Sequence, residues 1–341
     1  EDVTLNLPCR IIGERESWAL LKSKGLAVSP KRSALEHLSE YLQTHGSETI
    51  HRVTERGGWH FGAYILPGGD VVGTPSRALL YAGDTEHKAA YQPAGTAAEW
   101  TATVARLAQG NSRAMLAIGI ALAAPLLDWV GMESGGFHLF GDSSLGKTTI
   151  AKVGASVWGK PSETLLGWNS TALAMANAAA ATHYGAIGRA FVAAIAPRKS
   201  EMAARLKASI EAVVKATPPD ASGQARRLAS RFALVAEALE IATELGLTGW
   251  EEGDGAMGVM ACFDAWIEEN GFGKQEDRRI AEQAAAFFAA HGYSRFIDPW
   301  TSNPLGKEER VHNAAGYRKP TETTPVFMVF PYAFVQEIAA G

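Results

Sequence analysis

The residues best suited to chemistry in this chain are Gly141-Asp142-Ser143-Ser144-Leu145-Gly146-Lys147-Thr148, followed by Thr149. Their spacing is G-x-x-x-x-G-K-[ST], the phosphate-binding loop. Gly141 and Gly146 let the backbone curl until successive N–H groups face a phosphate. Lys147 can reach the β- and γ-phosphates, and the Thr148 hydroxyl can sit on Mg²⁺. The motif needs a strand before it and a helix after it. Phe137 to Phe140 reads as that strand, and Thr148 into Ala155 as a helix whose positive end favours the anion. The bland alternative is a glycine-rich turn, and the agreement of strand, loop and helix argues against it.

The elements around the loop are those of a mixed α/β protein. At 341 residues there is material for two or three domains. A net charge of −4 excludes a generally basic nucleic-acid coat, though not a local patch. Cys9 and Cys262 stand far apart with no histidine at ligand spacing, so neither a disulfide framework nor a zinc site follows. The most apolar run, Ala114 to Leu127, contains Pro125 and is too short for a bilayer, so a buried helix is expected. Glu1-Asp2-Val3 lacks signal-peptide character. The expectation is a cytoplasmic protein with no membrane partner.

Residues 3–21 alternate loosely and predict short strands. Ser29 as N-cap and Pro30 at the first helical position predict a helix to about Thr44. Val53 to Gly73 predicts strands and turns, with Trp59 more readily a core aromatic than an exposed stacking platform. Thr96-Ala97-Ala98-Glu99 has the form of a capping box. Ser170 to His183 predicts a second helix after the loop. Then the pattern breaks: no Asp or Glu occurs between Glu163 and Glu201. A P-loop ATPase needs a second strand ending in an acid that holds Mg²⁺, and a parallel sheet needs more strands than residues 150–200 supply. Either the ATPase is degenerate or residues are missing from this chain. The second reading is preferred, because His183-Tyr184 and Lys24-Gly25 look like abrupt joins.

Tyr184 to Lys215 reads as helices, Pro218 to Gly223 as a loop, and Gln224 to Leu245 as a long helix stopped by Gly246. Arg226, Arg227 and Arg231 crowd that helix's first turns, where the dipole prefers acids. They point either to phosphate contacts or to a plain solvated face. Helices over Gly255 to Asn270 and Gln275 to His291 precede a strand at Ser294 to Ile297. A turn-rich wing, a strand at Val326 to Phe330 and a closing helix from Tyr332 to Ala340 follow, a winged-helix-like order. The wing holds Lys307, Arg310, His312, Tyr317, Arg318 and Lys319. Arg310, Arg318 and Lys319 are the candidate phosphate-backbone contacts, with an ordinary charged loop as the alternative.

Several phrases together resemble one family. Ala124-Pro-Leu-Leu127, Gly135-Gly-Phe-His-Leu139, the loop itself and Ala155-Ser-Val-Trp-Gly159 form a connected block, extended by Trp168 to Thr171. Gly57-Gly-Trp59, Arg231-Phe-Ala-Leu-Val-Ala236 and Asn313-Ala-Ala-Gly-Tyr-Arg318 extend it to both sides. These resemble the DUF927 family of ATPases of phage, plasmid and other mobile-element replication proteins. That family is similar to the self-loading helicases of staphylococcal cassette elements, whose motor relates to the MCM branch of AAA+ ATPases. The resemblance implies an AAA+-like P-loop core over 96–215, interrupted near 183/184. Around it stand a small α/β domain at 1–95, a helical lid at 216–250 and a winged-helix-like domain at 251–341. It also implies ATP and Mg²⁺ as cofactors, a homo-hexameric ring, and single-stranded or forked DNA as partner. Arg227 takes the place of the sensor-2 arginine, beside Lys147 as a catalytic residue. The family's acid-ended strand, sensor-1 strand and arginine finger have no counterpart here. The leading expectation is an ATP-driven DNA helicase or translocase. The alternatives are a degenerate nucleotide-gated DNA-binding scaffold and a non-unwinding ATPase in a defence or regulatory complex.

Overall fold

A computed structural model describes residues 7, 9–45, 51–83, 88–141, 146–161, 179–273, 275–301 and 311–339. The chain divides into one unit of Glu1–Ser209 with Leu234–Met260 and another of Ile210–Ala233 with Ala261–Gly341.

In the first unit, helix α1 (Arg15–Ser23) stands where alternation predicts strands. Trp18 and Leu21 are three apart, on one helical face, and burial of Trp18 favours that spacing over the looser one. The helix closes at Gly25, φ 88°. Gly25 N–H donates to the Lys22 carbonyl (3.0 Å) and Leu26 N–H to that of Leu21 (3.1 Å). This is a Schellman stop, so the Lys24-Gly25 step carries its own turn signal and is not an abrupt join. Helix α2 (Arg32–Thr44) starts two residues later than expected. Lys31 takes the N-cap place, and Ser29 only accepts the Lys31 N–H (3.3 Å) in the turn ahead.

Strands β1 (Arg52–Thr54), β2 (Gly58–His60), β3 (Ala63–Ile65), β4 (Val71–Val72) and β5 (Leu79–Tyr81) form two small sheets. One is the parallel pair β1–β5, the other the antiparallel β2–β3–β4. Trp59 is a packed aromatic, as burial statistics favour: its indole N–H donates to the Pro125 carbonyl (2.7 Å) and its ring lies 4.7 Å from Trp129. Helix α3 (Ala97–Trp100) opens with the full capping box. The Thr96 N–H (2.8 Å) and hydroxyl (2.9 Å) hold the Glu99 carboxyl below its ordinary range. A π turn, Thr101–Ala105, leads into α4 (Arg106–Ala108).

Helices α5 (Ser112–Ala123) and α6 (Leu127–Val130) are joined by a 3₁₀ turn. Together they make a stretch from Ser112 to Val130 that is long and apolar enough to cross a bilayer by length and composition. That corrects the expectation of a run too short to do so. Met115, Leu116, Ile118, Leu122, Leu126 and Trp129 are nevertheless buried within the protein. Helix α7 (Lys147–Ala155) packs along α5. A Cβ on Gly154 would lie 2.9 Å from the Ala117 carbonyl oxygen, so only glycine permits this approach. Beyond α7, the indoles of Trp158 and Trp100 donate to the Ala121 carbonyl (2.7 Å) and the Ser156 hydroxyl (2.9 Å).

The helix predicted over Ser170 to His183 lies mostly outside the described residues. From His183 the backbone pairs Tyr184 with Ala94 in both directions (2.9 Å each) and turns at Gly185, φ 76°. Helix α8 (Ala186–Ile195) and α9 (Lys199–Ala216) follow. Helix α10 (Gly223–Glu244) ends in a second Schellman stop, with Gly246 N–H on Thr243 and Leu247 N–H on Ala242 (2.9 Å each). The Glu240 carboxylate accepts from Gly253 and Ala256 N–H (2.8 Å each), capping α11 (Asp254–Asn270).

In the second unit, α12 (Gln275–His291) covers a sheet of β6 (Phe296–Ile297), β7 (Gly316–Lys319) and β8 (Val326–Val329). β7 runs parallel to β6 and antiparallel to β8. Residues 316–319 are thus a strand, not the wing loop predicted, because all four pair with β8 and Gly316 and Tyr317 pair with β6 as well. Phe296, Ala315 and Ala333 form the core, with Phe288 stacked on Phe327 at 4.7 Å. The closing helix is α13 (Pro331–Ala333) with a π turn, Phe334–Ile338. Arg295 grips Glu337 with two nitrogens, and Arg318 reaches Asp298 (3.2 Å).

Replacing Gly154 with Val is expected to destabilise the first unit by about 1–3 kcal/mol through overpacking against α5, read as a lowered thermal midpoint. The Asp298 carboxyl is held below its ordinary range by the Thr301 hydroxyl and then Arg318, and that of Glu337 by Arg295. A depressed folded pKa gives stability that is present above the unfolded value and lost as pH falls through the folded one. Hydrogen-exchange protection over 294–338 should therefore hold from neutral pH to roughly 4 and fall below it. Asp298→Asn and Glu337→Gln together should flatten that fall.

Candidate functional site

Helix α7 begins where the motif requires. Gly146 occupies its N-cap in the left-handed region, φ 81°, and Gly141 has φ 139°. Both conformations suit glycine and exclude most side chains. The first intrahelical bond runs from Ile150 N–H to the Gly146 carbonyl (3.0 Å). The N–H groups of Thr148 and Thr149 come before it, at the helix start where no i−4 carbonyl belongs to the helix. Lys147 Nζ donates to the Gly141 carbonyl at 2.8 Å, closing the loop from its end to its start. Thr148 is half-buried and Thr149 buried, which fixes Thr149 against the core and leaves Thr148 at the mouth. Asp142, Ser143, Ser144 and Leu145 lie outside the described residues.

The strand expected ahead of the loop does not form. None of the three sheets among the described residues contains residues 137–140. A strand exists only by pairing, and here Phe140 is 66% exposed. Phe137 and Leu139 instead line a cavity of about 670 Å³ with Tyr64, Trp158 and Ala151. Burial, and secondarily the neighbouring Tyr91, pushes the Tyr64 phenol up. The cavity is apolar, and no group of three or more His, Cys, Asp or Glu able to hold a metal occurs among the described residues. Thr148, the residue predicted for Mg²⁺, is accompanied by no such group among the described residues.

The loop residues Gly141, Gly146, Lys147, Thr148 and Thr149 come together in the first unit. The arginine-rich turn stands in the second. Arg226 caps the preceding loop through the Pro219 carbonyl (2.6 Å), a structural role that accounts for one of the three cations. Arg227 is exposed, and Arg231 half-buried.

The predicted nucleic-acid contacts separate by pleat. Arg318 shares a sheet face with Phe327, is paired with Asp298, and stacks over Tyr293 at 4.4 Å. It is committed to the fold and is not a free phosphate contact. Lys319 is exposed on the opposite face. Arg310 lies outside the described residues. Sequence reasoning missed the aromatic character of that opposite face, where Tyr317 meets Trp300 edge-on at 6.4 Å. The signal was present as an alternation of Tyr317 with Arg318, legible only once residues 316–319 are known to be a strand.

Residues 6–187 match the family described as "Domain of unknown function (DUF927)". A solved structure described as "SCCmec type IV Cch - active helicase" is similar in fold, with a TM-score of 0.73 at 14% identity, covering 97% of this chain and 80% of that one. No curated protein matches the chain.

Arg318→Ala is expected to lower the thermal midpoint of the second unit, and Lys319→Ala to leave it in place. Equal midpoints for the two variants in a melting experiment would contradict the division between a structural and a surface cation.

Proposed function

The chain belongs to the DUF927 family, and from that premise we propose that it is the ATP-binding motor of a DNA helicase or translocase of a mobile genetic element. One observation carries the reading: the glycine-started helix α7, with Lys147 and Thr148 in its first turn and Lys147 spanning the loop. Backbone N–H groups at such a start, a helix dipole and a lysine make a site for the phosphates of ATP. Residues Gly141 to Thr149 cradle the triphosphate, Lys147 offsets its charge, and Thr148 offers a hydroxyl to Mg²⁺. Bound ATP supplies the free energy of its γ-phosphate cleavage. Arg227, with Arg231 on the same helix, reads the γ-phosphate, Arg226 being taken up by the Pro219 carbonyl. The same reading makes 96–215 an AAA+-like core, 216–250 its helical lid and 251–341 a winged-helix-like domain. It has the protein working on single-stranded or forked DNA as a cytoplasmic ring, a homo-hexamer. The fold neighbour described as an active helicase supports movement on DNA as the output.

A second reading is favoured by one fact: Glu163 to Glu201 encloses no carboxylate. On that reading the protein is a scaffold that binds ATP and DNA without turnover; the remaining alternative is a non-unwinding ATPase in a defence or regulatory complex.

The deciding experiment measures ATP binding by calorimetry and ATP hydrolysis with and without single-stranded DNA. Lys147→Ala should lower turnover about a hundredfold or more, the scale of removing one preorganised donor from a transition state. An unaltered rate in that variant refutes the site. Arg227→Ala should lower kcat while ATP affinity holds. Wild-type protein that binds ATP and never hydrolyses it selects the scaffold.

A further inference from the structure

The pleat of the second unit's sheet sorts its side chains cleanly. Phe296 is level with Gly316, and Phe327 and Val329 pack with Phe288 on the core side. Ile297 is level with Tyr317, Tyr317 is opposite Met328, and Lys319 is opposite Val326. These residues share the other face, since alternate residues of a strand point to opposite sides. Tyr317 is 39% exposed, Met328 40% and Val326 50%. Trp300 extends the surface beyond Tyr317. The carboxylates nearest by sequence do not discharge it: Asp298 is held by Arg318 and Glu337 by Arg295. Among the described residues of β6, β7 and β8, the outward charge is the cation Lys319, with Glu322 in the turn beyond. An exposed aromatic and apolar sheet face with a rim cation is a surface built to be covered.

We propose that this face binds single-stranded nucleic acid, unpaired bases stacking on Tyr317 and Trp300 while Lys319 meets the backbone. The inference rests on the DNA reading above and adds the mode of recognition. An aromatic ring on a sheet offers its π-face to any base, so binding is tolerant of sequence. Bases inside a duplex already stack on each other and cannot reach the ring, so the face discriminates single strands from duplex. Recognition passes from the arginine that charge alone would select, Arg318, to the tyrosine beside it.

The test is fluorescence anisotropy with a fluorescein-labelled oligothymidylate and the full chain at fixed salt. Tyr317→Ala should weaken binding about tenfold, the scale of one stacked base, and Tyr317→Phe should retain it. Lys319→Ala should reduce the slope of log affinity on log salt by roughly 0.7, one phosphate contact on a single strand. Unlabelled duplex should compete poorly. Wild-type affinity in Tyr317→Ala overturns the platform and leaves the DNA reading standing, whereas no binding by the wild-type protein overturns both. If Tyr317→Ala instead lowers the mass seen by light scattering with affinity unchanged, the face is a contact between copies and the proposal is wrong.

Discussion

The close approach of α7 to α5 at Gly154 is the constraint on which the placement of Gly146, Lys147 and Thr148 depends. A phosphate loop works only if the helix behind it cannot shift, because its N–H groups must hold their aim. Here the helix lies against the Ala117 carbonyl with no room for a side chain between them. Its far end is tied down by Trp100 on Ser156 and by Trp158 on Ala121. Each of these two indoles buries a large apolar surface and still satisfies its one donor, whereas Trp129 Nε1 is buried without a partner. The same device recurs at Trp59 on Pro125 and Trp250 on Ala105. Among the described residues, rigidity behind the loop thus comes from helix contact and indole anchors and not from a central sheet.

The second unit uses a different arrangement of the same chemistry. Its core is a stack of phenylalanines between α12 and one face of a short sheet. A sheet this small cannot hold its edges by apolar burial alone. Two arginines do it instead, Arg295 fastening the C-terminal π turn through Glu337 and Arg318 fastening the Asp298 turn. Spending cations on the fold leaves the outward face to aromatic and apolar side chains, which is why its charge is low.

What the sequence discloses depends on whether a feature is local. The Thr96–Glu99 capping box, the stop at Gly246 and the start of α7 at Gly146 are set by residues within a few positions, and they stand where the pattern puts them. Strand character is not local. Phe137 to Phe140 has the composition of a strand and joins none of the sheets among the described residues, while Gly316 to Lys319 looks like a loop and pairs along its length with β8 and, at Gly316 and Tyr317, with β6. Residues near Trp18 alternated loosely enough to mislead, because a single buried tryptophan can impose the helical period on weak surroundings. Arg318 failed for a related reason: a basic residue in text has no face until the pleat assigns one. The Lys24-Gly25 step was misread because a glycine in the left-handed region ends a helix within one residue, leaving no run of turn formers to announce it.

Binding and turnover place separate demands on such a protein, and the described residues meet them unequally. Holding a triphosphate needs a curled backbone, a helix start and a lysine, all of which are contiguous from Gly141 to Thr149. Cleaving it needs a carboxylate placed from a different element, against a metal and a water. Contiguous requirements survive rearrangement of the surrounding fold, whereas the distant acid does not. On the proposed reading, a chain with Lys147 and Thr148 at the start of an anchored helix retains affinity for ATP whatever supplies the acid, and movement on DNA depends on the element that brings that carboxylate to the loop.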